Sequence, residues 1–209
     1  LAELGGADSI TTHLREDRRH ITDRDVRLIR ETVQTKLNLE MAVSDDILAI
    51  AQALAPHDAC LVPERREEVT TEGGLNVSGD QVRIGAAVEV LAAESKEQID
   101  AAVAVGAPVI EFHTRAYANA VKSEERRECY LKLAEMAAYA SSNGLHVNSG
   151  HGLTYENVTP IASIKEMEEL NIGHSIIARA IFVGLPAAVQ EMKKIMQDAR
   201  RFACTDFHF

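Results

Sequence analysis

The stretch SKEQIDAAVAVGAPVIEFH, residues 95–113, holds one complete helix-to-strand unit and decides the class of fold. Ser95-Lys-Glu-Gln98 reads as a capping box, in which the Ser95 hydroxyl accepts the Gln98 N–H and the Gln98 side chain turns back to the Ser95 backbone. An amphipathic helix is expected over 96–105. The Gly-Ala-Pro turn then breaks it, and the β-branched run VIEFH at 109–113 reads as a strand with Glu111 and His113 on one face. The same order repeats outward. Downstream, a helical stretch at 124–142 leads into HVNS at 146–149, and IGHSIIA at 172–178 precedes a helix over 186–202. Upstream, strand candidates SITTH (9–13), NLEMA (38–42) and ACLV (59–62) alternate with helical patterns at 23–36, 45–54 and 81–93, with Thr22 and Ser44 placed as N-caps. Six strands alternating with helices predict an α/β fold built of βα units around a parallel sheet.

The chain has 209 residues, with 22 Lys+Arg against 32 Asp+Glu and a formal net charge of −10. So negative a balance, with no basic block, argues against nucleic acid or an anionic membrane as partner and leaves small anions open. A hydrophobic share of 46% and a charged share of 26% are those of a globular domain with one sizeable core. Cys60, Cys129 and Cys204 are odd in number and far apart, which supports neither a disulfide framework nor a zinc ribbon and suggests a reducing cytoplasm. There is no apolar run of bilayer length and no signal-peptide pattern. The first residue is Leu, which suggests a longer gene product. With no repeat, linker or low-complexity tract, a single domain over 1–209 is expected.

Strand after strand ends in a titratable or glycine-rich group: His13 and Arg15, Glu40, Pro63-Glu64, Glu111 and His113, Gly150-His151-Gly152, and Gly173-His174. In parallel α/β proteins the chemistry gathers at the C-terminal ends of strands, so this distribution favours an enzyme over a binding scaffold. An imidazole at 13 can take and give a proton near neutrality. By alternation, Leu39 and Met41 face the helices and Glu40 points inward. An inward carboxylate must be paired, with Arg15 as one candidate partner, or functional, and drawn away from water it is the better base. The glycines around His151 let backbone amides approach an anion, although an ordinary left-handed turn would use the same residues. In the run REDRRH, Glu16, Asp17, Arg18 and Arg19 read as a solvated loop. His57, His146 and His208 read as structural, and His113 as a lining residue.

Six segments, HLREDRRHITDRDVR (13–27), NLEMAV (38–43), LVPERREEVTTEGGLNVSG (61–79), VGAPVIEFHT (105–114), GLHVNSGHGLTYENV (144–158) and ELNIGHSIIARAIFVGL (169–185), together closely resemble the pyridoxine 5'-phosphate synthase family over about residues 7–200. The resemblance implies a (β/α)8 TIM barrel with extra helices, assembled as a homo-octamer in the cytoplasm. It implies a condensation of 1-deoxy-D-xylulose 5-phosphate with 3-amino-2-oxopropyl phosphate that releases phosphate and water and uses no metal or organic cofactor. By the same resemblance His13 is a general acid/base, Glu40 a proton acceptor and His151 a proton donor, and Glu111 stabilises cationic transition states. Arg15, His20 and Thr70 are implied to hold deoxyxylulose phosphate; Gly152, Gly173 and His174, the amino-ketone phosphate.

The sequence departs from that family in three places. A first strand and its loop should precede Leu1, about ten residues with a strand are lacking between Val90 and Ser95, and the tail at 202–209 has no counterpart. Six strands plus two make eight, and a barrel short of two staves leaves unpaired edges, so the protein is expected to be larger than these 209 residues. Two rival functions fit the same residues. One is a metal-dependent barrel aldolase or hydrolase, against which stands the lack of any HxH or HExxH spacing. The other is a non-catalytic vitamer-binding barrel.

Overall fold

The structure, a computed structural model, describes residues 1–64, 75–79, 81–85, 87, 90–92 and 96–201. The chain divides into two compact units, one of Asp8–Glu111 and one of Leu1–Ala7 with Phe112–Phe209. In the first unit β1 (Ser9–Leu14), α1 (Asp23–Thr32), β2 (Lys36–Met41), α2 (Asp45–Leu54), β3 (Asp58–Leu61), α3 (Gln81–Gly85), β4 (Val90–Ala92) and α4 (Lys96–Ala104) follow one another, and β5 (Val109–His113) runs out of the unit at its end. The strands pair in chain order and all in parallel. His13 stands opposite Glu40, Glu40 opposite Cys60, Cys60 opposite Val90, and Ala92 opposite Glu111.

Local chemistry explains the element ends. α1 begins where the Thr22 backbone N–H (2.9 Å) and hydroxyl (2.8 Å) both donate to the Asp25 carboxylate. It stops at Thr32, four residues short of the sequence expectation, because β-branched Val33 turns extended (φ −70°, ψ 140°) and feeds β2. α2 ends on Ala55 in the left-handed region (φ 47°), just before Pro56, which disfavours a helical residue ahead of it. Ser44 sits at the start of α2 as expected, yet its buried hydroxyl makes no hydrogen bond among the described residues. Alternation gives the strands their two faces. Leu37, Leu39 and Met41 of β2 are buried among Leu14, Ile47, Leu61 and Ile110, while Asn38 and Glu40 look the other way.

The second unit carries α5 (Arg115–Asn119), α6 (Ser123–Ser142), β6 (His146–Gly150), α7 (Val158–Ser163), β7 (Met167–Asn171), α8 (His174–Val183) and α9 (Leu185–Arg201). β6 and β7 are parallel, with Ser149 opposite Leu170. Phe112, Tyr117, Ala137, Val147, Ile161, Ala188 and Met192 build its core. The N-terminal turn is tied to α9 by Lys193, whose Nζ donates to the Gly6 carbonyl at 2.6 Å.

Two strand expectations need comment. The strand expected at 172–178 is instead the first half of α8, and the strand lies upstream at Met167–Asn171. Ile177 and Ile181 recur at a spacing of four, a helical period, and the apolar run IIA concealed it. At 90–95, where a strand was expected to be lacking, three residues form β4 and bridge β3 to β5. The expected helix over 81–93 shrinks accordingly to Gln81–Gly85. Gln98 takes a role that the capping-box reading did not foresee: its Oε1 accepts the Val77 (2.7 Å) and Ser78 (3.1 Å) N–H groups. Ser95 and the tail at 202–209 lie outside the described residues. Among the described residues no helix is long and apolar enough to cross a membrane.

Candidate active site

In the first unit β1 and β2 run side by side, so their last polar residues emerge together. His13 and Glu40 are register partners, and His13 Nδ1 lies 3.8 Å from Glu40 Oε2. A third group completes the cluster. Glu64, three residues past β3, sets its Oε1 2.9 Å from His13 Nε2, and its side chain is only 3% exposed. The other oxygen of Glu64 accepts the Glu16 N–H at 3.1 Å and lies 3.7 Å from Arg15 Nη2. His13 therefore stands between two carboxylates, one on each ring nitrogen. The sequence had shown Glu64 as a polar strand end and given it no role.

The pairing weighed for Glu40 with Arg15 is not the one formed, since Arg15 lies against Glu64 and, through Nε at 3.4 Å, Asp17. That Nε is buried and makes no hydrogen bond among the described residues. His20 is exposed farther along the same loop, and Thr70 lies outside the described residues. Arg18 departs from the solvated reading: Nε donates to Asp23 (2.9 Å), Nη2 to Asp46 (2.7 Å) and Nη1 to the Glu16 carbonyl (2.8 Å), which ties the loop to both helices. Asp17 is exposed as expected, and its hydrogen bond to Arg19 holds its carboxyl well below the usual range. Glu111, on β5, is 4% exposed.

In the second unit the turn after β6 carries His151 and Gly152, both left-handed, at φ 73° and 82°. For a histidine that backbone is uncommon and must be held by its surroundings. Thr114, fully buried, supplies the hold: its N–H donates to the Gly150 carbonyl at 2.8 Å, and its hydroxyl lies 2.7 Å from the carbonyls of both Gly150 and His151. Asn157 braces the far side, donating to the Gly152 carbonyl at 3.2 Å and accepting the Thr154 N–H at 2.7 Å. Neither brace was singled out in the sequence. Gly173 is the N-cap of α8 and His174 its first residue, and the Ser175 hydroxyl donates to the Leu153 carbonyl at 2.9 Å. That bond draws the α8 N-terminus and the Gly152 turn together, so backbone amides and a helix dipole favour an anion there.

The ring of His113 stacks on that of His151 at a centroid distance of 4.2 Å and an interplanar angle of 21°. Burial, helped by the charges of His151 and Arg115, pushes the His113 imidazole down to about 4. In the unfolded chain it titrates near 6.5. Between these values the unfolded state binds the extra proton, so the stability present above pH 6.5 is lost as pH falls toward 4. Urea unfolding of wild type and His113→Gln at pH 7 and pH 4.5 checks this. The variant should lose less stability on acidification, and equal losses would remove His113 as the cause.

Among the described residues no three His, Cys, Asp or Glu side chains group as a metal site would. Residues 1–198 match the family model "Pyridoxal phosphate biosynthesis protein PdxJ". The chain belongs to this family. One curated PdxJ relative, the pyridoxine 5'-phosphate synthase of Aliivibrio fischeri (strain ATCC 700601 / ES114), is 56% identical over 211 positions, covering 96% of this chain and 87% of its own. Of the solved structures, KGPDC from Streptococcus mutans matches at a TM-score of 0.65 with 10% identity, over 95% of this chain and 92% of that one. Thiamine phosphate pyrophosphorylase from Pyrococcus furiosus matches at 0.58 with 15% identity, over 95% and 87%. At these identities the structural likeness speaks of fold alone, and the fold is α/β with parallel strands and helices, of the TIM-barrel kind.

Proposed function

We propose that this chain is a pyridoxine 5'-phosphate synthase, condensing 1-deoxy-D-xylulose 5-phosphate with 3-amino-2-oxopropyl phosphate to give pyridoxine 5'-phosphate, phosphate and water without a metal or organic cofactor. The observation that carries the reading is 56% identity to a curated synthase along 96% of the chain. The geometry supports it independently through a histidine set between two carboxylates and a strained glycine turn braced beside a helix N-terminus. Ring closure of this kind needs several proton transfers at carbon, nitrogen and oxygen, and positioned acids and bases supply them.

In this reading His13 passes protons, Glu40 accepts one and His151 donates one to a departing oxygen. Glu111 places a buried carboxylate against iminium-like positive charge. Arg15 takes the deoxyxylulose phosphate, and its buried Nε–H, without a hydrogen bond among the described residues, favours that role, with His20 and Thr70 completing the grip. Gly152, Gly173 and His174 take the amino-ketone phosphate through amides at the α8 N-terminus.

The working protein is proposed to be a cytoplasmic homo-octamer of single (β/α)8 barrels. The apolar side chains of α8 support self-association, since Ile177, Ile181 and Phe182 are 57%, 79% and 83% exposed. The alignment spans 211 positions against 209 residues in this whole chain, so the relative carries positions that face no residue here, which fits a shortened stretch near 90–95. Incubating purified protein with both substrates and following pyridoxine 5'-phosphate and released phosphate tests the function. Stoichiometric formation of both is expected. Tight binding of pyridoxine 5'-phosphate with no turnover would favour the vitamer-binding alternative.

A further inference from the structure

We propose that Glu64 is the positioning residue of the acid/base pair: its buried carboxylate fixes the ring of His13 in the tautomer that carries the proton on Nε2, leaving Nδ1 as the proton-accepting atom beside Glu40. The inference rests on the synthase reading for its kinetic part and on geometry alone for its structural part. An ionised carboxylate only accepts hydrogen bonds, so at 2.9 Å from Glu64 Oε1 the Nε2 atom must be the donor. In a neutral imidazole the other nitrogen then carries the lone pair. That nitrogen, Nδ1, lies 3.8 Å from Glu40 Oε2, too far for a direct hydrogen bond and close enough for one proton to be handled by either group.

The surroundings of Glu64 are built for this task. Its side chain is 3% exposed, against 24% for His13 and 15% for Glu40, so it is the innermost of the three and the least able to meet a substrate itself. A carboxylate so deep requires compensation, which comes from the Glu16 N–H at 3.1 Å and the Arg15 guanidinium at 3.7 Å, both on its second oxygen. Those donors also fix which oxygen faces His13. The arrangement has the logic of a carboxylate orienting a catalytic imidazole, here with the carboxylate on Nε2 and the working lone pair on Nδ1. It further connects the two substrate regions of this unit, because the carboxylate that orients His13 also lies against Arg15.

The test is the variant Glu64→Gln. An amide has one acceptor and one donor end, and the donors at Glu16 and Arg15 claim the oxygen. The NH2 group then faces His13 Nε2, which must accept, and the ring proton moves to Nδ1. In ¹⁵N-resolved NMR of the substrate-free protein, wild-type His13 should show protonated Nε2, and the variant should shift toward protonated Nδ1. Its kcat should fall by about 10–100-fold, the usual cost of losing the group that orients a working ligand or base, with both KM values close to wild type. A wild-type ring protonated on Nδ1, a tautomer unmoved by the substitution, or a KM rise at unchanged kcat would each overturn the proposal. If Glu64→Gln does not fold, Glu64→Asp carries the test. It should keep the Nε2–H tautomer yet lose kcat, because the shorter carboxylate moves the ring; undiminished kcat would overturn the proposal. Wild-type protein that forms no pyridoxine 5'-phosphate would sink the synthase reading separately, and the tautomer measurement would still decide the role of Glu64.

Discussion

Glu40→Gln is expected to lower kcat by about 10²-fold or more while both KM values stay close to wild type, because a positioned general base typically contributes that much to the chemical step and little to ground-state binding. The substitution is nearly isosteric, so the strand and its buried partners Leu39 and Met41 should be undisturbed. Only the ability to accept a proton is lost. His13 Nδ1 lies 3.8 Å from the vacated base and its Nε2 is held by Glu64, so the turnover left in the variant is what the imidazole alone supplies. His151→Asn should bring a loss of the same order, for a different reason. Asn is among the few residues that tolerate φ near 73°, so the strained turn survives while the proposed proton donor goes. Steady-state kinetics of the two variants provides the measurement, and near-normal turnover in either one removes that residue from the mechanism.

What the sequence made legible follows from which signals are local. β5 and α2 were found with the observed bounds and β1 to within a residue, because alternation and helical period are read within one segment. The pairing of His13 with Glu40 was half legible: both end neighbouring strands, and parallel register aligns such ends. The partners beyond them were not. Glu64 reaches back 51 residues to His13, and Thr114 reaches 36 residues to Gly150; only the packed fold makes such contacts. α8 was misread because Ile176, Ile177 and Ala178 look like a buried strand when their surroundings are unseen. In the structure none of its residues is buried. Gly173 then gains a meaning the sequence reading lacked, as the N-cap of a ten-residue helix instead of a residue within a strand.

Gly152 and Gly173 belong to one proposed phosphate site, yet their substitution should fail in opposite ways. A Cβ at Gly152 would sit 2.8 Å from the Ala118 Cβ on a backbone at φ 82°, so Gly152→Ala meets both a clash and a disfavoured conformation. The left-handed backbone alone costs roughly 1–2 kcal/mol for a side-chain-bearing residue, and the clash with Ala118 adds to it. A fall in unfolding free energy beyond that range is expected before any ligand is added. Gly173 is different: a Cβ there meets nothing within 4 Å among the described residues, and its φ of −111° is open to any residue. Gly173→Val should therefore cost folding no more than about 1 kcal/mol, the scale of an N-cap change. Its branched side chain instead occupies the space in which a phosphate would approach the α8 amides. Calorimetric titration of Gly173→Val should show 3-amino-2-oxopropyl phosphate and pyridoxine 5'-phosphate weakened at least tenfold, an amount equal to about 1.4 kcal/mol. Deoxyxylulose phosphate should bind nearly as before if Arg15 holds it, as proposed above. Equal losses for both phosphates would mean that one shared site has been divided into two, and a collapse of stability in Gly173→Val would mean that the glycine serves the turn and not the ligand.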